Sequence, residues 1–455
     1  MTGTGENWRD EAYRILALAW PIALSSLSWT LMQLTDVAVI GQAGTFEVAA
    51  FGASRTITFI AIVTGMGWIS GLLVNVSRAE GARTPGETGN SLREGLLLAL
   101  LLGVLIGGIM ILSGRELLLA IGVEQHLVPL TAQVVAIMGV TFPIQLVSIA
   151  LGNFLQAINR SRRTLAINCV TLPVNAVLAW AWAGGHLGFP QAGALGATSA
   201  TFIASTLGLI LSGVSVWFLP DEGLRGVRRL APDDWARAWR GVPALARFGL
   251  APAFASALEL GGFSWVMVKS TQLGLVAAHA FQLVLSMHNV TFGLAMGLGA
   301  AAGVRAGNAV GEGRPEAALF RTLIAAAITT AVLVPITGLL MVFARTIVGL
   351  YPATMAVHAL AGVMLLVWAP FMLFDGLQLV FTYALRSLGD QVVAGLNSII
   401  AFFVVTIALG SWLIASGMGP IALVWCVGIS MLVCAGLQGG RLIWFSSPQR
   451  LKSSD

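Results

Sequence analysis

With 455 residues, 57% of them apolar and 10% charged, and a mean hydropathy of +0.87, this chain cannot clothe a soluble surface, which takes roughly 25% charged residues. It is an all-α integral membrane protein by composition, because long apolar stretches that must satisfy their own backbone become spanning helices. The formal charge of +5 and the pI of 9.6 sit where a membrane chain puts them, between apolar runs, so no nucleic-acid partner is implied.

The opening dozen residues are hydrophilic, and the apolar run after them is longer than a signal-peptide core, so no cleavable signal is expected. Twelve segments follow that are long enough to span, at 14–40, 47–77, 93–113, 127–158, 164–184, 192–219, 244–270, 276–304, 318–343, 355–385, 391–414 and 419–445. The first holds Pro21, a candidate hinge since its ring removes a helix hydrogen bond. Gln33 and, one turn later, Asp36 lie further along it. Segment four carries a polar stripe of Gln145, Ser148, Gln156 and Asn159. Segment five carries another, Asn168, Thr171 and Asn175. Between segments six and seven stands the most polar break, 220–241, whose Trp235 and Trp239 suit a short amphipathic helix on the inner leaflet.

In the second half, Ser256 precedes Glu259 by one turn, and Asp375 is followed one turn later by Gln378, with Thr382 on the same face. Gly299, Gly303, Gly307 and Gly311 recur every four residues, which lets a neighbouring backbone approach. Cys169, Cys426 and Cys434 lie inside apolar segments without CxxC spacing, so neither a metal nor a disulfide is expected. Most of the basic residues, among them Arg78, Arg83, Arg93, Arg160, Arg162, Arg163, the run Arg225 to Arg247, Arg305, Arg314, Arg321, Arg441, Arg450 and Lys452, fall at the ends or at every second break. Arg55, Arg115, Lys269 and Arg345 fall near the alternate breaks. This asymmetry puts both termini and the 220–241 break in the cytoplasm.

The halves echo each other. LALAWPIALSS (16–26) matches RFGLAPAFASA (247–257), aligning Pro21 with Pro252, and FPIQLVSIALGNFLQAINRS (142–161) matches APFMLFDGLQLVFTYALRSLGD (369–390). Two six-helix repeats of equal orientation form a transporter pattern. No HExxH, GxSxG, P-loop or GxGxxG occurs, so no enzyme is expected. Of the 20 acidic residues, Asp36, Glu259 and Asp375 lie deep in apolar segments, where a charge is costly and marks an ion or substrate path.

These stretches, with ALAWPIALSSLSWTLMQLTDVAVIGQAG, GALGATSAT, LAPAFASALELGGFSW and AGVRAGNAVGEGRPEAA, together resemble the MATE (multidrug and toxic compound extrusion) family, in its NorM-like branch, over nearly the whole chain. The resemblance implies twelve helices in two bundles around a V-shaped cleft: an N-lobe over 1–219, a cytoplasmic linker loop over 220–243, and a C-lobe with its cytoplasmic tail over 244–455. It implies a secondary active exporter that exchanges organic cations and drugs for Na+ or H+ by alternating access in a bacterial inner membrane, working as a monomer and without a cofactor. Asp36, Asn175 and Thr201, with Ala197 a turn before it, match the family's N-lobe cation site, and Glu259 and Asp375 match its C-lobe acids. Na+ would then sit at Glu259 and Asp375 or at Asp36 and Asn175. The chain departs from the family at AAHAFQ (277–282), which bears on His279, and at Met355, where some relatives carry another acid. Substrate-cleft candidates are Gln33, Gln378, Tyr383, Phe263 and Trp265. A flippase or exporter of lipid-linked or polysaccharide substrates is the rival reading. It calls for a cleft lined with bases, whereas the acids in the apolar segments outnumber the bases.

Overall fold

The computed structural model describes residues 7–445; Arg450 and Lys452 lie outside them. In chain order the helices are α1 (Trp8–Ala43), α2 (Thr45–Ile69), α3 (Gly71–Gly81), α4 (Pro85–Ala120), α5 (Val128–Ala157), α6 (Ser161–Gly184) and α7 (Gly193–Trp217). They continue with α8 (Glu222–Arg225), α9 (Pro232–Gln272), α10 (Leu275–Gly311), α11 (Pro315–Val342) and α12 (Ala344–Gly349). The last are α13 (Met355–Leu388), α14 (Gln391–Ile399), α15 (Thr406–Ala415) and α16 (Ala422–Phe445). A π-turn, Ile400–Val405, joins α14 to α15. Among the described residues, 12 spans are long and apolar enough to cross a membrane, with α2 and α3 forming one and α14 and α15 another.

All twelve expected segments are helical, but several start earlier than hydropathy alone suggests. Prolines at the first helical position launch α4 and α11 from their polar loops, a site where the missing N–H costs nothing. The largest shift is at α9. Trp235 and Trp239 of the 220–241 break do not lie on a separate short helix; they fall on the first turns of a 41-residue helix that runs on into the membrane segment. Pro232 starts it, and Asp233 and Asp234 favour its positive end. Pro243 and Pro252 are both accommodated inside it.

The chain divides into two compact units, and each takes part of a helix from the other half of the sequence. One comprises Leu27–Glu80 and Thr84–Ala253. The other comprises α1 up to Ser26, Gly81–Arg83 and the chain from Phe254 onward. The units divide α1 and α9 along their lengths.

In the first unit small residues set the helix spacing. A Cβ on Gly107 of α4 would stand 2.3 Å from the Gly139 carbonyl of α5, so only glycine permits that approach. Val39, Ile40, Phe51, Ala179, Ala197 and Ala200 belong to a buried core of the same unit. The linker is built into this unit. Arg225 of α8 is buried, and its guanidinium reaches Glu80 (2.7 Å), Asp221 (2.6 Å) and Thr88 (3.1 Å). Arg93 Nη1 donates to the Gly226 carbonyl at 2.9 Å. Burial pushes the Asp221 carboxyl up, but the bond and charge of Arg225 outweigh it and hold the group below the ordinary carboxylate range.

In the second unit Trp368 is fully buried and stacked on Phe281, with ring centroids 5.7 Å apart. The glycine ladder of α10 packs as expected: Gly299 and Gly303 lie against Leu379 and Tyr383 of α13. Glu11, on the opening turns of α1, grips Arg305 with both carboxylate oxygens at 2.6 Å, and both side chains are buried.

Candidate functional site

Each unit contains a polar cluster around one of the acids expected deep in the apolar segments. In the first unit Asp36 of α1, Asn175 of α6 and Thr201 of α7 meet, all buried. Their meeting depends on the close approach of α6 and α7, where a Cβ on Gly196 would stand 2.7 Å from the Trp182 backbone. Thr201 Oγ1 lies 3.3 Å from Asp36 Oδ2 and 3.1 Å from the Ala197 carbonyl. Its single proton serves only one of these acceptors at a time. Asn175 Nδ2 donates to Thr201 Oγ1 at 3.3 Å. Asp36 Oδ1 and Asn175 Oδ1 are buried without a hydrogen-bond partner. The cluster is therefore rich in oxygen and poor in donors. Gln33, proposed for a substrate cleft, accepts a hydrogen bond from Arg55 of α2. Arg55 does not sit near an outer break as its neighbourhood in the sequence suggested; it lies inside α2, within Coulombic reach of Asp36.

The second cluster is the reverse. Asp375 of α13 is 3% exposed, and both its oxygens are engaged: Oδ2 lies 3.0 Å from His288 Nε2 and Oδ1 accepts from Gln378 Nε2 at 3.3 Å. Gln378 Oε1 accepts in turn from Thr382 at 3.4 Å and Cys434 at 3.7 Å. Gln378 thus serves Asp375 and its own helix. Glu259 of α9 is half-buried, with Asp375 and Arg386 both within Coulombic reach of its carboxylate. The Arg386 guanidinium stands 5.6 Å from the Tyr383 ring centroid, and its Nε is buried without a partner.

His288 is the residue that sequence reasoning missed. It is 4% exposed, stacked at 5.0 Å on Trp368 and at 6.4 Å on Phe263. Its signal is in the sequence: the second of two histidines in the apolar run 276–304, and the one nearer its middle. His279, the other histidine of that run, stands exposed on the first turns of α10. Of the aromatic cleft candidates, Phe263 stacks on His288 and Phe402. Trp265 fits against Gly410 and lies under Lys269 Nζ, 5.7 Å from its ring. Tyr383 covers the α10 glycines and donates its hydroxyl to Met296 Sδ at 3.9 Å. These contacts are packing contacts within the second unit. Among the described residues, no three His, Cys, Asp or Glu side chains gather as a metal site. A hard monovalent ion asks for less than that: carboxylate, amide and hydroxyl oxygens, the set that Asp36, Asn175 and Thr201 present.

The MatE family model matches the chain twice, over residues 21–181 and 252–412. The two matches open on Pro21 and Pro252, the prolines aligned by the internal repeat. A probable multidrug resistance protein NorM from Bradyrhizobium diazoefficiens is 30% identical over 94% of this chain and 92% of its own. A protein of the same description from Rhodopseudomonas palustris is 30% identical over 96% and 92%. Among solved structures, the eukaryotic MATE transporter AtDTX14 superposes with a TM-score of 0.85 at 19% identity, covering 96% of both chains.

Proposed function

The chain belongs to the MatE family, and from that premise we infer that this multidrug efflux transporter expels organic cations in exchange for Na+ or H+ by alternating access. It is an integral membrane protein and a transporter rather than an enzyme. The observation that carries the exchange reading is the pair of buried, unpartnered oxygens, Asp36 Oδ1 and Asn175 Oδ1, beside Thr201. A buried carboxylate short of donors has to be neutralised, and a proton, a sodium ion or a cationic drug each does so. If two such cations compete for one acid, or favour opposite-facing states, entry of one expels the other, and no ATP is needed. Asp375 with His288, and Glu259 beside them, form the second charge centre on the path. Pro21 lies inside α1 a few residues before the helix passes from one unit to the other, the position a hinge would occupy.

Both termini and the linker face the cytoplasm of a bacterial inner membrane, and the protein acts as a monomer. An added Cβ at Gly223 meets nothing within 4 Å, so a cysteine there is accommodated. With Cys169 replaced, Gly223→Cys should resist a membrane-impermeant thiol reagent added to intact cells; labelling from outside would reverse the orientation. The exchange itself is tested by ethidium efflux from proteoliposomes with sodium and proton gradients imposed separately. Efflux that follows one gradient supports the reading, and efflux indifferent to both defeats it.

A further inference from the structure

Arg55 is a cation beside the Asp36 cluster that neither the repeat nor the resemblance accounts for. α1 and α2 are joined by a single residue, Gly44, and run back along each other, so Arg55 of α2 stands level with Gln33 of α1 and bonds to it. Gln33 precedes Asp36 by three residues, about 4.5 Å along the helix axis at 1.5 Å per residue. A guanidinium on a flexible stem covers that distance by changing rotamer, without backbone movement. The arrangement seen here has Arg55 on Gln33 and Asp36 Oδ1 without a partner. A buried carboxylate with an oxygen left unpaired is costly, and Arg55, already within Coulombic reach of Asp36, is a cation able to bond that oxygen from one turn away.

We propose that Arg55 is a tethered counter-cation that moves between Gln33 and Asp36, neutralising Asp36 when no external cation is bound and parking on Gln33 when one enters. The inference rests on the reading of Asp36 as a cation-exchange site and adds what holds that site between turnovers. It makes the empty site stable enough to change conformation and sets the affinity an external cation must beat. Gln33 is then a positioning residue: by accepting Arg55 it lowers the cost of vacating Asp36. Arginine suits the task because it stays charged in a low-dielectric setting and its fork fits both an amide and a carboxylate oxygen.

The test is binding of tetraphenylphosphonium to the purified full-length protein by equilibrium dialysis at fixed ionic strength. Arg55→Gln removes the competitor and should tighten binding about tenfold, within the usual span of site-to-site coupling. Gln33→Leu removes the parking place and should weaken binding by about fivefold, at the lower end of that span. Both effects should vanish in an Asp36→Asn background, and Arg55→Lys should restore most of the wild-type affinity, which also reports an intact fold. A general electrostatic influence of Arg55 would move the first variant and leave Gln33→Leu unchanged. That result, or either effect persisting without Asp36, overturns the proposal. Wild-type efflux that no ion gradient drives would defeat the exchange reading instead, and the binding cycles decide the role of Arg55 without it.

Discussion

The two acid clusters occupy the two halves of a repeated chain, yet they are opposites in bonding. Asp36 has one shared hydroxyl donor and a carboxylate oxygen with none, whereas Asp375 has a ring nitrogen on one oxygen and an amide on the other. In the first half the nearby arginine is turned toward a glutamine; in the second, Arg386 stands by Glu259 and over Tyr383. The repeat therefore supplies the helix framework twice, and a few side chains decide whether the acid on it is open to a cation or already satisfied.

The sharpest break in this comparison would come from efflux. Asp36→Asn should bring gradient-driven ethidium efflux close to background at matched expression, since it deletes the charge and keeps the shape. Asp375→Asn should impair it less, because its partners His288 and Gln378 remain to fill the site. Equal losses would erase the distinction between the clusters. His288→Leu should turn the second cluster into an imitation of the first by stripping Asp375 Oδ2 of its donor. An unsatisfied buried group costs about 1–3 kcal/mol, so thermal unfolding in detergent should fall by several degrees, and an unchanged transition would show that the bond is not needed. The cycle of Glu259→Gln and Asp375→Asn probes the second centre further. If the acids act as one unit, their losses of efflux should be non-additive, with a coupling of about 0.5–3 kcal/mol; simple addition would make Glu259 a separate site.

The smallest expected effect concerns the linker, docked on the first unit through Asp221 and Arg225. The Asp221 carboxyl is depressed in the folded protein, so its contribution is present above its unfolded pKa and is lost as pH falls through the lower folded value. The ordinary carboxylate value is about 3.9. Amide exchange over 222–229, corrected for intrinsic rates, should thus stay flat from pH 8 to pH 5 and rise only in stronger acid. A rise already at pH 6 would mean that another group holds the linker.

Much of this molecule was legible beforehand. Twelve apolar runs of spanning length left little choice of fold, and the cluster of Asp36, Asn175 and Thr201 followed from the motifs that resemble the family. Arg55 and His288 escaped for a physical reason. In a helix apolar on every face, periodicity does not say which neighbour a given face meets, so a lone polar residue has no readable partner. The arginines at every second break count as orientation signals in the sequence. Arg225 and Arg305 are in fact buried and ion-paired, a role that the charge count along a sequence cannot reveal because the partners lie far apart in it. No separate helix forms around Trp235 and Trp239 because Pro232 starts a helix and nothing before Gln272 stops it.

The division of α1 and α9 between the units bears on how the protein is made. A unit reaching from Leu27 to Ala253 is not complete when the sixth span leaves the ribosome; it still lacks α8, which brings Arg225 to Glu80, and the opening turns of α9. The other unit needs the stretch of α1 before Ser26, synthesised first of all, with Glu11 held in reserve until Arg305 emerges. The earliest and the middle parts of the nascent chain thus each stay unfinished until later ones arrive. Truncation after Trp217 should leave a fragment that inserts but is rapidly degraded, whereas truncation after Gln272 should yield a first unit that resists proteolysis.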